Sequence, residues 1–150
     1  MSTHTETLRT SSAEETEALA GRIAGDLRAG DVVVVSGEVG AGKSTFVRGA
    51  CRALGIEGPV TSPTFTIGRR YEGGRLPVSH LDLYRLETLE GEDPGLLDDY
   101  IGPETVTFIE WAAPAEPHLR QPVLRVRLHH AGGDSRLVEI GSTDAAASAQ

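Results

Sequence analysis

The stretch "VVVVSGEVGAGKST", residues 32–45, constrains this chain more than any other part of it. Val32, Val33, Val34 and Val35 form a continuous β-branched run, the pattern of a strand buried on both faces. Gly37-x-x-x-x-Gly42-Lys43-Ser44 follows and matches a phosphate-loop pattern. "KSTFVRGACRAL" then reads as a helix ending near Gly55. Glycines let successive N–H groups turn inward as an anion nest, and the helix start adds its positive dipole end. A strand, a glycine loop and a helix in this order predict an α/β layer architecture.

Lys43 is the single lysine among 14 Lys and Arg residues. A compact, mobile ammonium can reach β- and γ-phosphates, whereas a planar guanidinium is bulkier and seeks a bidentate partner. Ser44 offers a hydroxyl to Mg²⁺ and Thr45 one to an α-phosphate. The loop residues Gly37, Glu38, Val39, Gly40, Ala41 and Gly42, with Lys43, Ser44 and Thr45, are therefore the expected nucleotide-binding set.

Around this unit the chain reads as one domain. Ser12 and Glu15 have capping-box spacing, Leu19, Ile23 and Leu27 form a helical apolar stripe, and Gly30 is placed to stop that helix. "TIGRRYEGGRLPVSHLDLYRL" predicts a β-hairpin turned at Gly73-Gly74. Residues 87–100 are acidic and predicted helical in part, with Pro94 as an interruption. "TVTFIEWA" predicts a buried strand over 105–111, and "VLRVRLHH" and "SRLVEI" a second hairpin around "AGGD". The expected fold is α/β: a P-loop NTPase-like mixed sheet flanked by helices, with antiparallel hairpin additions. It occupies residues 12–141, between a flexible N-terminus over 1–11 and a disordered tail over 142–150.

Composition removes several classes of function. No apolar run approaches the ~18 residues of a membrane span, and the polar N-terminus lacks a signal-peptide core. The lone Cys51 excludes an internal disulfide and fits a reducing cytoplasm, as a partly buried helical residue. A formal charge of −8 argues against holding nucleic acid unaided. The local basic excess, Arg69, Arg70, Arg75 and Arg85, reads as solvated strand-face charge. The chain contains no asparagine, so the Asn-Lys-x-Asp motif of guanine recognition is missing.

Mg²⁺ needs hard oxygen ligands, and its usual second anchor is an acid at the end of a buried strand. Glu110 ends "TVTFIE" and Asp82 sits in "VSHLD"; both are placed to emerge at the carboxyl edge of a sheet. One can hold the metal while the other positions an attacking water, or either can be a strand-end charge in solvent. In "TSPTFT", Thr61, Ser62, Thr64 and Thr66 surround Pro63 as a γ-phosphate-sensing loop or as plain turn chemistry. Trp111 can line the pocket or fill core, and His80 reads as a structural hydrogen-bonding residue.

"GEVGAGKST", "LGIEGPVTSPTFTI", "HLDLYRL" and "FIEWA", in this order and spacing, resemble the TsaE family, P-loop ATPases of bacterial tRNA threonylcarbamoyladenosine biosynthesis. The resemblance runs from about Ser12 to Ile140. It implies slow Mg²⁺-dependent ATP hydrolysis in concert with TsaB and TsaD, which attach the threonylcarbamoyl group, and only indirect contact with tRNA. The ATPase is implied to reset or license that assembly. By position, Lys43 and Ser44 are implied as phosphate and metal residues, Glu110 as the metal-side acid and Asp82 as the acid needed for hydrolysis. Thr64 becomes the hydroxyl of the switch-like loop, and Thr16 and Arg136 are implied to touch the nucleotide. Ser44 replaces a threonine common in the family, and Leu81 a frequent aromatic. The rival readings are a small-molecule P-loop kinase and an ATP-binding regulatory module without turnover.

Overall fold

The structure, a computed structural model, describes residues 3–38, 40–61, 67–84, 97–113, 119 and 124–143. Val39, Ser62, Pro63, Thr64, Thr66, Arg85, residues 87–96 of the acidic segment and the tail over 144–150 lie outside the described residues.

The valine run becomes β2 (Val32–Gly37), and the segment after the glycine loop becomes α2 (Lys43–Ala53). The other described elements are β1 (Thr3–Thr10), α1 (Ala13–Ala24), β3 (Gly68–Tyr71), β4 (Val78–Asp82), β5 (Val106–Glu110), β6 (Leu124–His130) and β7 (Arg136–Thr143). The strands form one mixed sheet in the order β1-β7-β6-β2-β5-β4-β3. The four central strands, β6, β2, β5 and β4, run parallel, and antiparallel pairs close both sides. This is the mixed α/β sheet with hairpin additions that the sequence predicts.

Both described helices pack on one face of the sheet. Alternation along the strands sends Val33, Val35, Phe108, Val126 and Leu128 toward them, against Leu19, Phe46, Val47 and Ala50. Val34, Leu81, Leu83 and Ile109 point the other way, where Leu97, Tyr100 and Ile101 cover them. A strand buried on both faces has no polar side, which is why β5 has every residue buried. The two helices cross closely at Gly49, where a Cβ would stand 2.5 Å from the Glu17 Cα and carbonyl oxygen.

Several expectations need correction. The N-terminus is not a flexible lead: Thr3–Thr10 pairs with β7 along its whole length, and β7 runs on through Ser142 and Thr143, which the sequence assigns to the tail. Alternating threonines suit an extended edge strand, and edge strands are kept polar, so the segment lacks the apolar run that marks buried strands. Helix α1 ends at Ala24 rather than Gly30. Tight i−3 bonds from Asp26 and Leu27 unwind it there, and the Arg75 guanidinium takes the Ala24 and Leu27 carbonyls at 3.3 and 3.4 Å. Arg75 is therefore tied to the end of α1 rather than freely solvated. Cys51 is wholly buried.

Candidate functional site

In the parallel register, Val35 of β2 stands opposite Glu110 of β5, and Glu110 opposite Asp82 of β4. Three strands thus end together at the carboxyl edge of the sheet, where α/β proteins hold ligands. Gly37 leaves β2 with φ +145°, and a Cβ there would meet the Leu128 backbone, so only glycine lets the chain turn into the loop. Gly42, at φ +102°, opens α2.

The two helix starts differ in a way that matters chemically. In α1 the Ser12 hydroxyl accepts from the Glu15 N–H at 3.1 Å, the Glu15 carboxylate accepts from the Ser11 N–H at 2.7 Å, and Glu14 and Glu15 occupy the first turn. The first turn of α2 has no side-chain cap and no acid. Its positive dipole end therefore favours an external anion.

Lys43 heads that helix and is 7% exposed. Its ammonium donates to the Gly37 carbonyl at 2.8 Å and the Glu38 carbonyl at 3.0 Å, and stands 4.7 Å from the centre of the Trp111 ring. Trp111 holds a left-handed backbone, φ 54°, and its ring leans on Tyr84 with centroids 4.9 Å apart. A non-glycine residue in that conformation costs about 1–3 kcal/mol and persists only where its surroundings hold it. Trp111 therefore belongs to the pocket mouth, not the core.

Gly40, Gly42, Lys43, Ser44, Thr45, Glu110 and Trp111 line one cavity of about 350 Å³. A second, of about 210 Å³, adjoins it through Gly42 and Thr45 and is lined also by Ser12, Ala13, Glu14, Thr16, Asp134 and Arg136. Thr16 is held by a 2.7 Å hydroxyl contact with Thr10. Arg136 donates from Nε to the Ala41 carbonyl at 3.1 Å, from Nη2 to Gly40 at 3.3 Å, and from Nη1 to Gly133 and Ser135 at 2.8 Å each. Its guanidinium ties the β6–β7 turn to the back of the loop. Ala41 is buried, and Gly37 and Glu38 act through the carbonyls that hold Lys43.

Glu110 is 3% exposed, and its Oε2 lies 2.5 Å from Nε2 of the buried His80. Asp82 is half-buried, with Oδ1 accepting from the Tyr84 N–H at 3.0 Å. Burial pushes the Asp82 carboxyl above the ordinary aspartate range, and the neighbouring Glu110 charge adds to that. The Tyr84 N–H, His80 and Lys43 oppose the shift without cancelling it.

The expected residues are thus largely brought together. Glu110 and Ser44 share the first cavity, Thr16 and Arg136 the second, and Asp82 flanks Glu110 without lining either cavity. Thr64 and Val39 fall outside the described residues. Sequence reasoning missed the stacking of Tyr84, whereas His80 makes the structural hydrogen bond that the sequence predicts, to a partner the sequence does not name. The spacing of His80 and Asp82 along β4, which puts both on one face, was the available signal.

A strand, a glycine loop and a lysine-headed helix at the carboxyl edge of a mixed sheet define a P-loop α/β protein. The chain belongs to the TsaE family: the family model described as threonylcarbamoyl adenosine biosynthesis protein TsaE matches residues 10–138. It is similar to the tRNA threonylcarbamoyladenosine biosynthesis protein TsaE of Bacillus subtilis, 44% identical over 128 residues, covering 85% of this chain and 80% of that one. The protein of that name from Streptomyces coelicolor is 42% identical over 116 residues, covering 76% of this chain and 78% of the relative. The crystal structure of Bacillus subtilis YdiB superposes with a TM-score of 0.79 at 34% identity, covering 95% of this chain and 88% of that one.

Proposed function

We propose that this chain is a Mg²⁺-dependent ATPase that serves tRNA threonylcarbamoyladenosine biosynthesis in the cytoplasm, acting with TsaB and TsaD and meeting tRNA only through that assembly. One observation carries the reading: the uncapped start of α2, the Lys43 ammonium and the Glu110 carboxylate converge on one cavity. The donor set suits a nucleotide bound through its phosphates. Backbone N–H groups and Lys43 bind and orient the phosphate tail, and Thr45 lies between the phosphate cavity and the one lined by Thr16 and Arg136.

The donor set also suits Mg²⁺. Among the described residues no three His, Cys, Asp or Glu side chains gather into a metal cage. Mg²⁺ is ordinarily held by one or two protein oxygens with phosphates and waters, and Ser44 and Glu110 supply that number. When bound, the ion neutralises charge on the phosphate oxygens. Glu110 is the metal-side acid in this reading. Asp82, beside it with a raised affinity for protons, positions the attacking water and accepts its proton. Thr64 is assigned the hydroxyl that meets the γ-phosphate. The relatives' names support the pathway, and the negative charge supports indirect contact with tRNA.

The test pairs calorimetry with reconstituted modification. ADP with Mg²⁺ binds the parent chain, and Lys43→Ala weakens that binding roughly 10–100-fold, the range of a lost charge-assisted hydrogen bond. Glu110→Ala and Lys43→Ala both abolish modification when TsaB, TsaD and tRNA are supplied. Full activity in both variants refutes the assignment.

A further inference from the structure

His80 is a polar side chain in the middle of a buried strand, 1% exposed, with Val78 and Leu81 buried on either side of it. Its Nδ1 is the one buried side-chain nitrogen or oxygen among the described residues that has no hydrogen-bond partner. A group kept at that cost does something with its other nitrogen. Nε2 meets Glu110 Oε2 at 2.5 Å. An ionised carboxylate only accepts, so the histidine donates.

The pairing follows from register. Parallel β4 and β5 set His80 opposite Phe108 and Asp82 opposite Glu110, on the helix-facing side of the sheet. His80 therefore lies diagonally behind Glu110, one pleat back from the strand end. Among the described residues Glu110 is the only acid lining the phosphate cavity, and it shares that cavity with Ser44. A glutamate has three rotatable side-chain bonds, and nothing on its own backbone aims it.

We propose that His80 is a positioning residue for the divalent cation. It fixes the Glu110 rotamer through Oε2 and leaves the other carboxylate oxygen for the cation or one of its waters. Ligating carboxylates are commonly held in this way by an outer partner, and losing such a partner weakens metal binding about 10–100-fold. The inference rests on the nucleotide reading above and adds to it a residue outside the cavity.

The experiment measures ADP affinity by calorimetry across a MgCl₂ series and again in EDTA, with thermal melting to confirm folding. His80→Leu is expected to need roughly tenfold more Mg²⁺ for half-maximal enhancement, with ADP affinity in EDTA unchanged. His80→Gln carries an amide nitrogen near the Nε2 position and restores the Mg²⁺ requirement to within about threefold. His80→Asn, whose amide falls short of Glu110, behaves like His80→Leu and serves if the leucine variant does not fold. In a Glu110→Ala background the histidine substitutions leave the Mg²⁺ requirement where Glu110→Ala alone sets it. An unchanged Mg²⁺ requirement in a folded His80→Asn chain, or an equal loss in EDTA, overturns the role of His80 alone. A parent chain that binds no ADP under either condition overturns the nucleotide reading and this inference with it.

Discussion

Asp82 and Glu110 stand directly opposite each other on adjacent parallel strands, both on the face that carries the phosphate loop. Partial burial disfavours ionisation of Asp82, and the Glu110 carboxylate beside it adds to that. The two acids are thereby given unequal surroundings: Glu110 is buried with a histidine donor, and Asp82 is half-exposed with a backbone donor.

That inequality predicts a pH-dependent stability. A carboxyl whose folded-state pKa is raised binds more protons folded than unfolded, so stability falls as pH rises from the ordinary aspartate range through the raised value. Asp82→Asn removes the liability and keeps an oxygen for the Tyr84 N–H. The ligand-free variant should melt above the parent at pH 7, with the difference shrinking as pH is lowered toward ~4. A difference independent of pH means that the Asp82 carboxyl is not held up.

Arg136 should act through the loop and not through the nucleoside. Its guanidinium holds the Gly40 and Ala41 carbonyls and so braces the loop from behind. Arg136→Ala is expected to weaken inorganic pyrophosphate and ADP alike, by roughly tenfold, since several charge-assisted bonds are lost. Arg136→Lys should not rescue, because one ammonium cannot span four carbonyls. Calorimetry with pyrophosphate decides: unchanged affinity places the guanidinium on the nucleoside instead.

Gly49→Ala should destabilise the fold by about 1–3 kcal/mol, the cost of overpacking a close helix crossing. Urea titration measures it. A shift below a few tenths of a kcal/mol would mean that α1 and α2 yield easily.

Cys51 should be inert. It is fully buried, and burial pushes its thiol up to about 12. An aromatic disulfide reagent at pH 8 should leave the folded chain unlabelled and modify one thiol after denaturation. Rapid labelling of the folded chain would show that α2 opens locally.

Much of this site is written locally. The valine run, the glycines and Lys43 are contiguous, and their chemistry admits few other structures. The hairpins too announce themselves by alternation around glycine pairs. What escapes is pairing at a distance. His80 and Glu110 are 30 residues apart, and only the parallel register of β4 and β5 brings them together. The choice between Asp82 and Glu110 as cavity acid likewise depends on how far each strand extends. β1 was hidden because its polar threonines match a loop, while its partner β7 lies at the far end of the chain. The positive φ at Trp111 has no sequence signature, since tryptophan is an unusual occupant of that conformation.

The edge strand β1 has a practical meaning for anyone handling the molecule. Cutting the chain back to Ser11 strips the cover from β7 and bares an eight-residue edge strand whose outward amides and carbonyls lose their partners. The same cut removes Thr10, the anchor of Thr16. A trimmed expression clone should be sticky as well as blunted in its grip on ligand, and a purification handle belongs upstream of Thr3.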